Sequence, residues 1–518
     1  MKLVKSLLLG SAAGLIAVGG AQAADLPVKA KAVEYVKICS LYGAGFYYMP
    51  GTDTCIKLGG YVRADMIFGG ANDYGFNNSQ ATANGGSNNR LTNYYYSRAR
   101  MDFTVDTRTA TEYGVVRTFA DMVFSYDTGN VTGSNPGAFT AGGASLGLYH
   151  AFVQFAGFTM GRTVSIFDAP WQSYNAGGPD TVPGGSNHVT GVNQFAYTAD
   201  FGQGITGSIA LENPDTQSNG NGNLWNVNGF AASAAASAAT GAVVVTPAAA
   251  VAGAALITGQ YGTYAWGGTR SPDIVGAIRV DQAWGLAQFS VAAHDLHPAY
   301  YGGTEPTGHP SDKWGWAVQG ALSIKNIPTG AGDSINLNAV YTDGMSRENF
   351  QVLFPQQFSM YSGTGVAGAY QSVGFAGIAD GVFGAGGQIE TVKTWGVRGG
   401  YTHNWNPYWA TGVYGGYASL SYTATAKALI CGNFVAAGFG ATATCNPDFN
   451  FGVVGVNTVW TPVKNLSFTG DLSWSRLDQK YSGTIAAPAV AVWAKPAGVY
   501  ELKDQNSLTL MLRAQRSF

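Results

Sequence analysis

Charged side chains set at a period of two are the residues here whose types and spacing point to chemistry. From Tyr94 the chain reads YYYSRARMDFT. In an extended strand Tyr94, Tyr96, Arg98, Arg100, Asp102 and Thr104 therefore share one face, with Met101 and Phe103 on the other. Arg63 and Asp65 repeat the arrangement earlier in the chain, Arg117 and Asp121 later, and Arg162 follows near the end of a fifth such segment. Charges in rows of this kind do not form an acid–base pair. They line a wall with fixed charge of both signs. Ser165–Thr190 follows Arg162 and carries Asp168 and Asp180 among Pro170, Trp171, Pro179 and Pro183. If that stretch folds back, its carboxylates face the arginines across a narrow opening, with a transverse field and a size limit.

Catalytic and metal chemistry find less support. Six histidines stand at 150, 188, 294, 297, 309 and 403, and neither GxSxG nor GxxxxGK[ST] occurs. His294-Asp295-Leu296-His297 lacks a third convincing ligand, and no CxxC is present. We therefore expect no catalytic residues, no metal and no cofactor. The alternatives carried forward are a substrate-selective sugar or anion channel and, behind it, an outer-membrane barrel enzyme or an adhesin.

The elements that must position these charges read as strands. The last stretch, SLTLMLRAQRSF, places Leu508, Leu510, Leu512 and Ala514 on one face and Ser507, Thr509, Arg513 and Gln515 on the other. About sixteen such segments recur, near 56–67, 93–106, 112–126, 146–157, 158–166, 192–201, 204–213, 273–282, 285–295, 314–325, 334–343, 391–403, 408–422, 450–460, 465–477 and 507–518. A charge on a lipid-facing strand position costs about 2–4 kcal/mol at mid-bilayer, so Arg63, Asp65, Arg98, Arg100, Asp102, Arg117, Asp121 and Arg162 are expected to point into a lumen. Connections alternate in length. Brief turns such as Gly202–Gln203 separate long Gly/Asn/Ser/Ala-rich segments such as 214–272 and 344–390. A barrel with short periplasmic turns and long extracellular loops has this rhythm, and a soluble sandwich has no reason for it. The fold expected is all-β: a sixteen-stranded antiparallel transmembrane β-barrel.

Met1–Ala23 has the basic start, short apolar core and Ala-Gln-Ala site of a secretory signal peptide, leaving 24–518 as one barrel domain with a 24–55 lead. Charged residues are 11% of the chain against about 25% in soluble domains. Without Lys2 and Lys5 the chain has 26 basic and 30 acidic residues, a balance that gives no support to nucleic-acid binding. The four cysteines of this exported chain favour Cys39–Cys55 and Cys431–Cys445 over crossed pairings. The charge-free run within 230–256 is expected to be an Ala-rich loop insertion, since Gly241, Pro247 and Gly253 interrupt it.

From Lys37 to Asp65 the chain reads KICSLYGAGFYYMPGTDTCIKLGGYVRAD, which closely resembles the alphaproteobacterial general porin family. Met160–Asp168 (MGRTVSIFD), Ile278–Gly285 (IRVDQAWG) and the terminal Phe518 are similar to it too. The resemblance implies a homotrimer in the bacterial outer membrane, among lipid and lipopolysaccharide. It also implies a third loop (165–190) folded into each channel and passive diffusion of small hydrophilic solutes and ions. By the same resemblance Asp168 and Asp180 fall in the constriction loop and Arg98, Arg100, Arg117 and Arg162 on the wall facing it.

Overall fold

In a computed structural model the chain is described over residues 38–69, 88–92, 94–128, 130–131, 139–140, 143–171, 182–214, 224–227, 234–236, 243–245, 255–302, 304–351, 354, 356–437, 439, 444–490 and 494–518. The leader 1–23, Asp180 and most of 230–256 lie outside the described residues.

Sixteen long strands form the wall: β1 (Cys55–Phe68), β2 (Tyr95–Thr111), β3 (Gly114–Asp127), β4 (Gly143–Phe155), β5 (Phe158–Thr163), β6 (Val192–Asp200), β7 (Ile205–Glu212) and β8 (Asp273–Gln282), then β9 (Gly285–Leu296), β10 (Lys313–Lys325), β11 (Ser334–Asp343), β12 (Lys393–Asn406), β13 (Trp409–Ser421), β14 (Phe449–Val463), β15 (Leu466–Gln479) and β16 (Gln505–Ser517). Each pairs antiparallel with its neighbours in sequence. The ring closes where β16 meets β1, from Tyr61 opposite Ser517 to Phe68 opposite Leu510. Closure leaves no edge strand, the condition for a sheet to lie in hydrocarbon. The segments expected from alternation thus correspond one for one to the strands.

Strand parity sorts the side chains. On β16 Leu508, Leu510 and Leu512 are exposed on the outer face, while Ser507, Thr509 and Met511 are buried. Exposed aromatics cluster near both ends of the strands. Tyr113, Phe201, Trp284, Tyr408, Trp409 and Trp460 mark the short-turn rim, and Tyr95, Trp314, Trp316, Trp395 and Tyr417 the other. Such rings favour the membrane–water interface. Tyr401 lies in the outer row at the short-turn rim, opposite the exposed Val413, and its hydroxyl donates to Asp333 Oδ2 at 3.1 Å. The turn between β4 and β5 is as short as a hairpin allows: Ala156 and Gly157 both take positive φ, 49° and 86°.

At the opposite rim the long loops are not loose connectors. Segments 344–392 and 480–504 contribute the four strands of one small sheet, Gln357–Ser362, Gln371–Gly377, Gly498–Leu502 and Gly483–Ala487. A second small sheet joins Leu224–Asn226 and Thr263–Tyr264 to Gly381–Phe383 and Glu390–Thr391. A helix at Ala424–Ala436, capped by the Thr423 hydroxyl accepting from the Ala426 amide, packs Ile430 and Phe434 into the same core. Phe350, Phe354 and Phe358 meet Phe449 and Phe451, the inward residues at the upper end of β14. The cap therefore reaches into the barrel on that side. Disulfides Cys39–Cys55 and Cys431–Cys445 hold the segment preceding β1 and the helix-bearing loop, with Cα separations of 6.1 and 5.8 Å.

Candidate functional site

On β1–β3 the charged rows lie inside. Arg63, Asp65, Arg98, Arg100, Asp102 and Asp121 are each less than a tenth exposed, while Val62, Met66, Met101 and Phe124 are 40–54% exposed on the outer face. Register sets Arg63 opposite Arg100 and Asp65 opposite Arg98. Carboxylates and hydroxyls fix the guanidinium groups in place. Arg513 on β16 donates to Asp65 Oδ1 at 2.7 Å, Arg98 Nη2 to Asp127 Oδ2 at 2.8 Å and Arg100 Nε to Ser125 Oγ at 2.9 Å. Paired in this way, the arginines present fixed charge at low mobility.

Arg117 does not join this cluster. It stands opposite Arg108, ten positions from Arg98 along β2, which at the rise of a strand is about 33 Å. There it donates to Asp106 at 3.0 Å and to Gln154 at 3.0 Å, near the short-turn rim. Arg162 also departs from expectation. It pairs in register with Ala151 and Asn193 and shares its row with Met160 and the exposed Phe158, so its row is the outer one. Its Nε donates to the carbonyls of Leu148 and Thr190 at 3.0 and 3.1 Å, bracing the end of the third loop.

The described parts of that loop, 164–171 and 182–191, fold into the barrel and lie on the far wall. Phe167 seats among Ala196, Ala210, Ala292 and Ala317, small inward residues of β6, β7, β9 and β10 that leave room for a ring. Gln288 Nε2 donates to the carbonyl of Asp168 at 2.9 Å, and Gln319 Nε2 to that of Phe167 at 2.9 Å. Arg398 on β12 reaches the carbonyl of Val182 at 3.1 Å and also bonds that of Ser186. Wall glycines permit the approach: a Cβ on Gly396 would stand 2.7 Å from Gly184 Cα, and one on Gly416 would strike the Pro183 carbonyl.

Asp168 consequently does not look across the lumen. Its carboxylate is buried, accepting the His188 backbone N–H at 2.5 Å and pairing with His188 Nδ1 at 2.7 Å. His188 Nε2 lies 3.5 Å from Glu348 Oε1, on a short helical turn of the 344–392 loop. Burial pulls the imidazole down, but Asp168 and Glu348 more than offset that and hold it up at about 9. Burial pushes the Glu348 carboxyl up. Asp168, His188 and Glu348 are the described trio whose donor atoms lie close enough for a cation. Each imidazole nitrogen already faces a carboxylate, so the charged ring itself supplies the positive charge there. Asp180 lies outside the described residues.

His188, Glu348, Gln288, Gln319 and Arg398 were missed in the sequence. Parity offered a signal for Arg398, which alternates with the outward Trp395 and Val397. None existed for His188 and Glu348, whose pairing joins two loops 160 residues apart.

Comparison with known proteins gives a consistent result. The family described as the porin subfamily matches residues 25–511. Porin Omp2b of Brucella suis is 34% identical over 216 residues, 40% of this chain and 52% of that protein. Porin Omp2a of Brucella melitensis is 37% identical over 220 residues, 40% of this chain and 56% of that protein. The chain thus spans about half the length of the curated relatives it matches. The outer membrane channel DcaP of Acinetobacter baumannii is similar in structure, with a TM-score of 0.52 at 15% identity over 91% of this chain and 99% of that one. That likeness is one of fold alone.

Proposed function

Because the chain belongs to the porin subfamily, we propose that it is a passive diffusion channel for small hydrophilic solutes and ions across the bacterial outer membrane. One observation carries the reading: a closed wall with charged rows inside and apolar rows outside, into which the third loop folds. Hydrophilic solutes need such an interior, and lipid requires such an exterior. In this reading the narrow passage runs between the third loop and the β1–β3 wall, where Arg63, Arg98 and Arg100 set its field. Asp168 serves it indirectly, by anchoring the loop. The working unit is a homotrimer embedded in outer-membrane lipid and lipopolysaccharide, and the protein catalyses no reaction. Single-channel recording of the refolded chain in a planar bilayer tests this. Large steady steps closing in threes under voltage are expected. Silence from folded, inserted protein would overturn the channel reading.

A further inference from the structure

Beneath the third loop, on the short-turn side, the wall carries a cavity of about 530 Å³. Its lining combines Trp171 at the loop's lower edge with inward residues of four neighbouring strands, among them Arg279, Ser323, Lys325 and Asn336. Register explains the convergence. Ser323 stands opposite Asn336, and Lys325 opposite Ser334, at the short-turn ends of β10 and β11. Arg279 and Asp281 lie in the inward row of β8, two positions apart.

Two groups at this cavity have no partner among the described residues. The Trp171 indole Nε1 is buried and makes no hydrogen bond, although a buried donor left unmade costs about 1–3 kcal/mol. Lys325 is exposed, and no carboxylate lies in ion-pair range of its ammonium, whereas Arg279 is matched by Asp281 at 3.0 Å. The cavity thus presents one uncompensated positive charge, an indole surface, a Ser hydroxyl and an Asn amide. Its volume lies within the range of about 300–1,000 Å³ usual for small-molecule sites.

We propose that this cavity is a solute-binding subsite for a singly charged, hydroxylated carboxylate such as a sugar acid. The carboxylate pairs with Lys325, hydroxyls bond the Ser323 hydroxyl and the Asn336 amide, and a C–H face rests against the Trp171 indole. A phosphate monoester, mostly dianionic at neutral pH, would leave one negative charge unmatched. The proposal rests on the channel reading, because it places the subsite on the periplasmic part of the solute's route.

Two measurements separate the subsite from the channel. In planar bilayers, glucuronate added to the periplasmic side of the full chain is expected to interrupt the current in a concentration-dependent way, and methyl glucoside far less. Calorimetric titration of glucuronate into the detergent-solubilised barrel reads binding without any need for conduction. In both assays Lys325→Gln should weaken the interaction about tenfold and Trp171→Phe about threefold. Lys464→Gln, at another short turn, should leave it unchanged. A barrel that conducts but neither binds glucuronate nor is interrupted by it overturns the subsite and spares the channel. Binding that Lys325→Gln leaves intact overturns it too. Binding lost in Lys325→Gln by a barrel that never conducts upholds the subsite and removes the channel.

Discussion

At the scale of single residues, charge position rather than charge count decides what each group does. Arg98 and Arg100 sit in the inner row beside Asp65 and Asp102, so replacing both with Gln is expected to move the zero-current potential in a salt gradient toward cation preference. The same change at Arg117, about 33 Å along the wall, should move it far less; equal shifts from both sites would refute the placement. Asp168 answers differently, because its partner is buried. Removing one member of a buried ion pair typically costs about 3–5 kcal/mol. Asp168→Asn should therefore make the open channel noisier and the third loop easier to cleave, with little change in ion preference. The His188 pairing also has a pH signature. Its pKa is raised to about 9 from an ordinary value near 6.5, so the anchor contributes fully below about pH 6.5 and is lost as pH rises through about 9. Glu348 is raised as well, to about 7, so its own contribution falls away below the pH window of His188. Current noise should increase between about pH 7 and 9.5, and His188→Phe should abolish that pH dependence.

At the scale of elements, the wall was legible because each strand has to satisfy lipid on one side and water on the other. That two-sided demand writes period two into β16, β15 and β2 directly. Arg162 was misplaced by treating its charge as decisive, when Phe158 and Met160 in the same row already pointed outward. The seat of the third loop was not legible. It depends on Ala196, Ala210, Ala292 and Ala317 coming together from four strands, and on Gly396 and Gly416 leaving space for 182–185. A Val at Gly416 should press the loop away from the wall and into the passage, lowering single-channel conductance; an unchanged conductance would mean that the loop seats elsewhere. Nor was the cap foreseen. Its strands are two to seven residues long and several pair between loops distant in sequence, so no local period marks them.

For the whole molecule, the apolar outer surface and the two aromatic bands define a membrane-embedded cylinder. We expect a trimer that survives SDS without heating and dissociates on boiling; a monomer under both conditions would refute the trimer. By itself the sequence determined that the chain is a barrel of about sixteen strands and which rows are polar on most of them, and it favoured the cysteine pairing that the structure holds. Alternation, loop rhythm and spacing are properties of the chain read in order, and membrane insertion rewards them strand by strand. Only the tertiary structure decided which charges share one patch of wall, which wall the third loop lies against and how far the cap fills the mouth. Those outcomes depend on side chains brought together across hundreds of residues by barrel closure, a geometry with no period in the sequence.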